Sequence, residues 1–139
     1  MGELWRQQFS ASYIRSDDVV VLNDADIPFP EGFISNAKLR SNVIFPPNSR
    51  AGDHYHKIRE EVFVGFGTGL QLLIESPSTH EVRIFDMDPG KNNGQCVAFG
   101  IPAGLPHAVR NLGPDSGFLI EFASHPQEKV DHRISTDET

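Results

Sequence analysis

Proline and glycine recur along this chain at intervals too short for helices and well suited to strands. Pro28 with Pro30, Pro46 with Pro47, Gly67 with Gly69, Pro77, Pro89 with Gly90, Gly94, Pro102 with Gly104, and Gly113 with Pro114 and Gly117 punctuate it as turns do. Between these marks lie short segments rich in Val, Ile, Leu and Phe: Asp18 to Leu22, Asn42 to Phe45, Glu61 to Phe66, Leu70 to Glu75, Glu81 to Met87, Cys96 to Ile101, His107 to Leu112 and Phe118 to Ala123. They read as strands. No stretch between Pro28 and Pro126 keeps a 3.6-residue apolar period for three turns without a breaker, which argues against helical and alternating βαβ architectures. The expectation is an all-β fold. About eight strands with short connections lose their exposed edges most economically in a jelly-roll sandwich or closed barrel.

At 139 residues the chain suits one domain with one core. The expected division is a single barrel over residues 1–125 and a polar tail over 126–139 with little to bury, held loosely. Met1 to Ile14, with Leu4, Trp5, Phe9, Tyr13 and Ile14, is compatible with a short helix or with an arm packed on a neighbouring subunit. The longest near-apolar runs, Val19 to Leu22 and Leu70 to Ile74, are strand-sized, so no membrane span is expected. Met1 to Arg15 lacks the pattern of a secretory signal, which makes the cytoplasm the default location. The single cysteine, Cys96, rules out an internal disulfide and reads as an inert strand residue. Twelve Lys and Arg against 19 Asp and Glu leave a net charge of -7, the wrong sign for gripping nucleic acid. Lys38, Arg40, Arg50, Lys57 and Arg59 nevertheless cluster in sequence and allow a locally cationic pocket.

Two histidine-bearing segments carry the chemistry. In Gly52-Asp53-His54-Tyr55-His56-Lys57-Ile58-Arg59-Glu60-Glu61-Val62-Phe63 the two histidines are separated by one residue. On a strand this sends both rings to one face with Cα atoms ~6.6 Å apart, close enough for both to reach one ion at ~2.1 Å. Glu60 or Glu61 can add a carboxylate oxygen. In Ile101-Pro102-Ala103-Gly104-Leu105-Pro106-His107-Ala108-Val109-Arg110-Asn111, Pro102 ends a strand, Gly104 permits a turn, and His107 opens the next strand.

These segments resemble the paired signature motifs of the cupin superfamily. The first motif is His-x-His, three or four residues, Glu, and a glycine after a short strand; the second is Pro-x-Gly, two residues, His, three residues, Asn, which Pro102, Gly104, His107 and Asn111 match at every offset. Asn48 and Cys96 stand where the family carries its leading glycines, departures that touch turn shape and not ligands. The resemblance spans Leu39 to Phe122 and implies a cupin-type jelly-roll β-barrel with a metal held by His54, His56, one glutamate and His107. Glu60 keeps the parity of the two histidines and fits the interval to Gly67, whereas Glu61 directly precedes Val62-Phe63; a turn resetting parity favours Glu61. Three imidazoles and one carboxylate suit zinc, iron, manganese, nickel or cobalt. A divalent ion there keeps about one unit of positive charge, enough to polarise a carbonyl or hold an enediolate.

The two segments are also similar to the cupins of bacterial surface-polysaccharide synthesis that epimerise or isomerise keto-sugar nucleotides. That likeness implies a 4-keto-6-deoxy sugar nucleotide as substrate. The proton-transfer candidates are then a histidine not engaged by metal, His54 or His107, and Tyr55, with Arg40, Lys57 or Arg110 on phosphate. A regular strand would point Tyr55 away from the two histidines. The alternatives are an iron-dependent dioxygenase on a small molecule and a non-catalytic ligand-binding protein. Small cupins of this kind are commonly homodimers. The phenylalanines, among them Phe45 and Phe63, are assigned to packing; Trp5 suits a subunit contact or a base stack; and His80, His125 and His132 receive no role.

Overall fold

A computed structural model describes residues 2–11, 13–14, 20–33 and 39–136. Lys38 and the first part of the Asp18 to Leu22 segment lie outside the described residues. The described chain forms β1 (Trp5–Phe9), β2 (Tyr13–Ile14), β3 (Val20–Val21), β4 (Leu39–Phe45), β5 (Arg50–Tyr55), β6 (Glu61–Phe66), β7 (Leu70–Glu75), β8 (Val82–Asp86), β9 (Cys96–Ile101), β10 (His107–Asn111), β11 (Gly117–Ala123) and β12 (Val130–Asp131). Two five-stranded antiparallel sheets, ordered β1-β9-β6-β11-β4 and β12-β5-β10-β7-β8, face one another, and β2 pairs with β3 separately. Among the described residues no helix is long and apolar enough to cross a membrane. The all-β jelly roll expected from turn spacing is the observed architecture.

Strand parity builds two apolar layers on the first sheet. Phe63 of β6, Val97, Phe99 and Ile101 of β9 and Leu119 of β11 point inward to meet Leu70, Leu72 and Ile74 of β7 and Val109 of β10. Val62, Val64, Ala98 and Ile120 point outward, where Leu22, Ile27, Phe29 and Phe33 cover them. With both faces covered, β6 and β9 read as continuous apolar runs and not as alternating ones. Among the described residues β4 is one edge of that sheet, and its Arg40 and Asn42 are exposed, which blunts edge pairing.

Both ends of the chain are tied into the sheets. Residues 5–9 form a strand and not a helix: β1 pairs with β9 of the same sheet from Trp5↔Gly100 to Phe9↔Cys96. The tail is not loose over residues 128–134. β12 adds to the edge of β5, and Ile134 is fully buried against Leu73 and Ala108. One apolar residue in a polar stretch anchors it, a signal too small for compositional reading.

Two local devices shape the region where the histidines emerge. Asn48 adopts φ +61°, the left-handed conformation that asparagine tolerates best after glycine, so it can stand at the family's glycine position. Gly52 adopts φ +99°, and a Cβ there would lie 2.9 Å from both Ala108 Cα and His107 O. The β5–β10 register shifts between His107 and Ala108 at this point, a bulge that no side chain larger than hydrogen can share.

Candidate metal centre

His54 and His107 are cross-strand partners on β5 and β10, while Glu61 opens β6 on the facing sheet. His56 lies just past the end of β5, its ring still on the face of His54 with centroids 4.7 Å apart. The rings of His54 and His107 are 5.0 Å apart, and one ring nitrogen from each of the three histidines lies within 4.8 Å of the others. Glu61 Oε1 is 3.1 Å from His56 Nε2 and 3.1 Å from His107 Nε2. Glu61, not Glu60, therefore faces the imidazoles. The turn between β5 and β6 resets the side-chain parity; Glu60 uses its backbone N–H to donate to Ser124 Oγ at 2.8 Å.

Hydrogen bonds behind the rings set their tautomers. His107 Nδ1–H donates to the Leu105 carbonyl at 2.9 Å, and His56 Nδ1–H donates to the Glu128 carbonyl. In the neutral ring each bond leaves a lone pair on Nε2, the nitrogen aimed at Glu61. With no cation between them, a second proton on His56 lets Nε2–H donate to Glu61 Oε1 at 3.1 Å, while the His107 nitrogen meets the same oxygen as an acceptor. His107 Nε2, though close to Glu61, is off the line of a hydrogen bond, and it and His54 Nδ1 are buried without a hydrogen-bond partner among the described residues. Converging lone pairs of this kind are satisfied by protons or by a cation, and three imidazoles with one carboxylate fit a first-row divalent metal.

Protonation follows the same geometry. Burial, reinforced by His107 and His56, lowers the pKa of His54 to about 4. His56 is held above its ordinary value: burial works against the charge, but the bond to Glu61 and the Glu128 carbonyl outweigh it. Glu61 falls well below the usual carboxylate range despite its burial, because His107 and His56 both favour its anion. A second layer backs Glu61. Arg59 donates from Nε to Glu61 Oε2 at 3.0 Å and from Nη2 to Glu121 Oε1 at 2.7 Å. Burial and the negative charge of Glu61 raise the pKa of Glu121.

Three members of the cluster line a cavity of about 190 Å³: His54, Glu61 and His107, with Glu121 and Gln127, form its polar side, and Val43, Phe45, Ala51, Gly52, Phe63, Val109 and Leu119 the rest. Phe45 and Phe63 belong to this wall as well as to the core, where the sequence suggested packing alone. No Lys or Arg lines it, so the expected cationic pocket is absent from this cavity: Arg40 is exposed and binds Asp24 and Asn42, Lys57 is exposed, and Arg110 donates to Gln71. Tyr55 is not brought to the cluster; its ring lies 6.4 Å from that of His132, as strand alternation requires. Trp5 packs on Gly100 in the outer layer. Sequence reading gave Glu121 and Gln127 no role, and it weighed Arg59 only as one of five clustered cations, because their place in the site depends on pairing across the sheet.

No protein-family model matches the chain, and no curated protein matches it. Solved structures do. The sugar 3,4-ketoisomerase QdtA from Thermoanaerobacterium thermosaccharolyticum, in complex with TDP, aligns with a TM-score of 0.62 at 15% identity over 90% of this chain and 82% of its own. The chain has a cupin fold. The 3'-monoepimerase ChmJ from Streptomyces bikiniensis, in complex with dTDP-quinovose, aligns at 0.61 and 17% identity over 90% of this chain and 65% of its own. The capsular polysaccharide assembling protein CapF from Staphylococcus aureus aligns at 0.62 and 18% identity over 70% of this chain, and this cupin fold spans only 27% of the CapF chain. At these identities the likeness is one of fold.

Proposed function

We propose that this cupin holds a divalent metal through His54, His56, Glu61 and His107 and isomerises or epimerises a keto-sugar nucleotide in surface-carbohydrate synthesis. The observation that carries the metal reading is the buried convergence of Nε2 of His56 and of His107 on one Glu61 oxygen, beside a third histidine that lines a cavity. What supports the reaction is that similar folds occur in a ketoisomerase in complex with TDP and an epimerase in complex with dTDP-quinovose. The bound ion would act as a Lewis acid toward a carbonyl or enediolate oxygen.

This chain's own residues would do the rest. Arg59 orients Glu61 by donating to its second oxygen, which leaves Oε1 free to face the imidazoles as a ligand. His54 and His107 serve proton transfer only where a metal does not hold them; Glu121 is the ionisable group of the cavity wall outside the ligand set, and the proton beside the ketone falls to it. Gln127, also on the wall, offers a hydrogen-bonding amide. The cavity admits about one sugar-sized ring, and its Phe45, Phe63 and Leu119 wall suits the apolar face of a deoxy sugar, leaving the nucleotide at the mouth.

The apolar wall also favours a second reading, an iron-dependent dioxygenase acting on a small hydrophobic molecule. Metal analysis and substrate incubation separate the two. Purified protein should carry a stoichiometric divalent metal that His54→Ala and His107→Ala each lose; loss in only one variant would break the shared site. Incubation with TDP-4-keto-6-deoxyglucose and related keto-sugar nucleotides in heavy water should place deuterium next to the ketone. No uptake across the panel, with iron as the bound metal and oxygen consumed on a small aromatic or aliphatic substrate, would replace the first reading by the second.

A further inference from the structure

The segment from Ser124 to Ile134 crosses the histidine-bearing end of the barrel and is tied to it at several points. Arg59 Nη1 donates to the His125 carbonyl at 3.1 Å, Gln127 enters the cavity wall, and β12 pairs Val130 and Asp131 with Tyr55 and His54. Asp53 binds the far end: its carbonyl accepts from His132 N–H at 2.8 Å and its Oδ1 from Ile134 N–H at 3.0 Å. Between these anchors lies Glu128, which works in two directions. Its backbone carbonyl accepts from His56 Nδ1–H. Its carboxylate spans the turn that follows His56, Oε2 accepting from Lys57 N–H at 2.9 Å and Oε1 from Ile58 N–H at 3.0 Å and Arg59 N–H at 3.1 Å.

We propose that Glu128 is a positioning residue for the metal centre: its carboxylate latches the 57–59 turn to the C-terminal strand so that its own carbonyl can hold His56 with the lone pair on Nε2. The proposal rests on the metal reading above. The N–H groups of Lys57 and Ile58 lie at exposed positions with water as an alternative partner, so the barrel does not need this carboxylate to satisfy them. The His56 ring does need the carbonyl. A free imidazole exchanges its proton between the two nitrogens, and only an acceptor fixed behind Nδ1 reserves Nε2 for an ion. Holding that acceptor to within a few tenths of an ångström requires the segment to be tied to the very turn that carries the ring, and Glu128 makes both ties from one residue.

The test uses the full chain as wild type, Glu128→Ala and Glu128→Gln, the last keeping one carbonyl oxygen for the latch. Long-range nitrogen–proton NMR on the metal-stripped proteins reads the His56 tautomer, competition against a chromophoric chelator reads zinc affinity, and thermal unfolding of the stripped proteins reads the fold. At a pH where the His56 ring is neutral, wild type should show Nδ1–H there and none at Nε2. Glu128→Ala should populate both tautomers and lose about 10- to 100-fold in zinc affinity with little change in metal-free unfolding, and Glu128→Gln should fall between. Unchanged tautomer and affinity in Glu128→Ala would overturn the proposal; should that variant fail to fold, wild-type tautomer and affinity in Glu128→Gln would overturn it. A wild-type protein that binds no zinc or other divalent metal sinks the metal reading instead, and the tautomer comparison then still decides the role of Glu128.

Discussion

Arg59 is the residue on which the acidic side of the site depends. Its guanidinium is almost fully buried and links Glu61 on β6 to Glu121 on β11, while Nη1 reaches the His125 carbonyl. Replacing it by Met keeps the volume and leaves the buried Glu61 and the half-buried Glu121 without this partner. The expected cost is about 3–5 kcal/mol in chemical denaturation of the metal-free protein, and the loss should shrink when metal is added. Cys96 offers an independent reading of burial at the other side of the fold. Burial raises its thiol above the ordinary value near 9.0, so the folded protein should resist thiol-specific reagents at pH 8 and react only once unfolded. The raised pKa fixes the sign of the pH effect as well. Below pH 9 both states keep the proton and the full stability is present; as pH rises further the unfolded chain ionises first, and stability declines on the alkaline side.

At the scale of elements, the β5–β10 pair determines whether His54 and His107 meet. Gly52 lets β5 bulge at the point where the register shifts, with Ala108 and His107 closing the space a side chain would take. Gly52→Ala would combine an unfavourable φ with a backbone clash, so an expected loss of about 1–3 kcal/mol should accompany weakened metal binding, both measurable on one purified variant. The structure explains why the turn after β5 mattered for the choice of glutamate. His56 follows the strand end, the chain turns across Lys57 to Glu60, and β6 restarts the alternation with Glu61 inward and Val62 outward. The strands over 61–66, 70–75 and 96–101 coincide with the turn-bounded apolar runs, because each is covered on both faces and so consists almost wholly of buried residues. β1, β5 and β12 were not delimited as strands in the sequence. Each carries a polar or charged side chain at many of its positions, and only pairing with β9, β10 and β5 holds them extended.

The whole molecule is assembled from partners far apart in the chain. β1 pairs with β9, β4 with β11, and β12 with β5, so loops must close before most of the core is rewarded. Refolding should accordingly take milliseconds to seconds in stopped-flow fluorescence of Trp5, and a microsecond refolding phase carrying the full amplitude would contradict this topology. What the amino-acid order determined by itself was everything carried by local chemistry: turn residues that divide the chain into strands, an all-β class, and histidines spaced to share a strand face. Tertiary structure alone decided which charges belong to the site. Glu121 and the carbonyl of Glu128 reach Arg59 and His56 across sequence separations of about sixty residues or more, and Arg59 is held beside Glu61 by Glu121, whereas Arg40, Lys57 and Arg110, neighbours of the motifs in sequence, turn away from the cavity. The physical reason is that strand alternation fixes a side chain's face only relative to its own strand, and the pairing of one strand with another, set by the burial of the whole core, decides which faces meet.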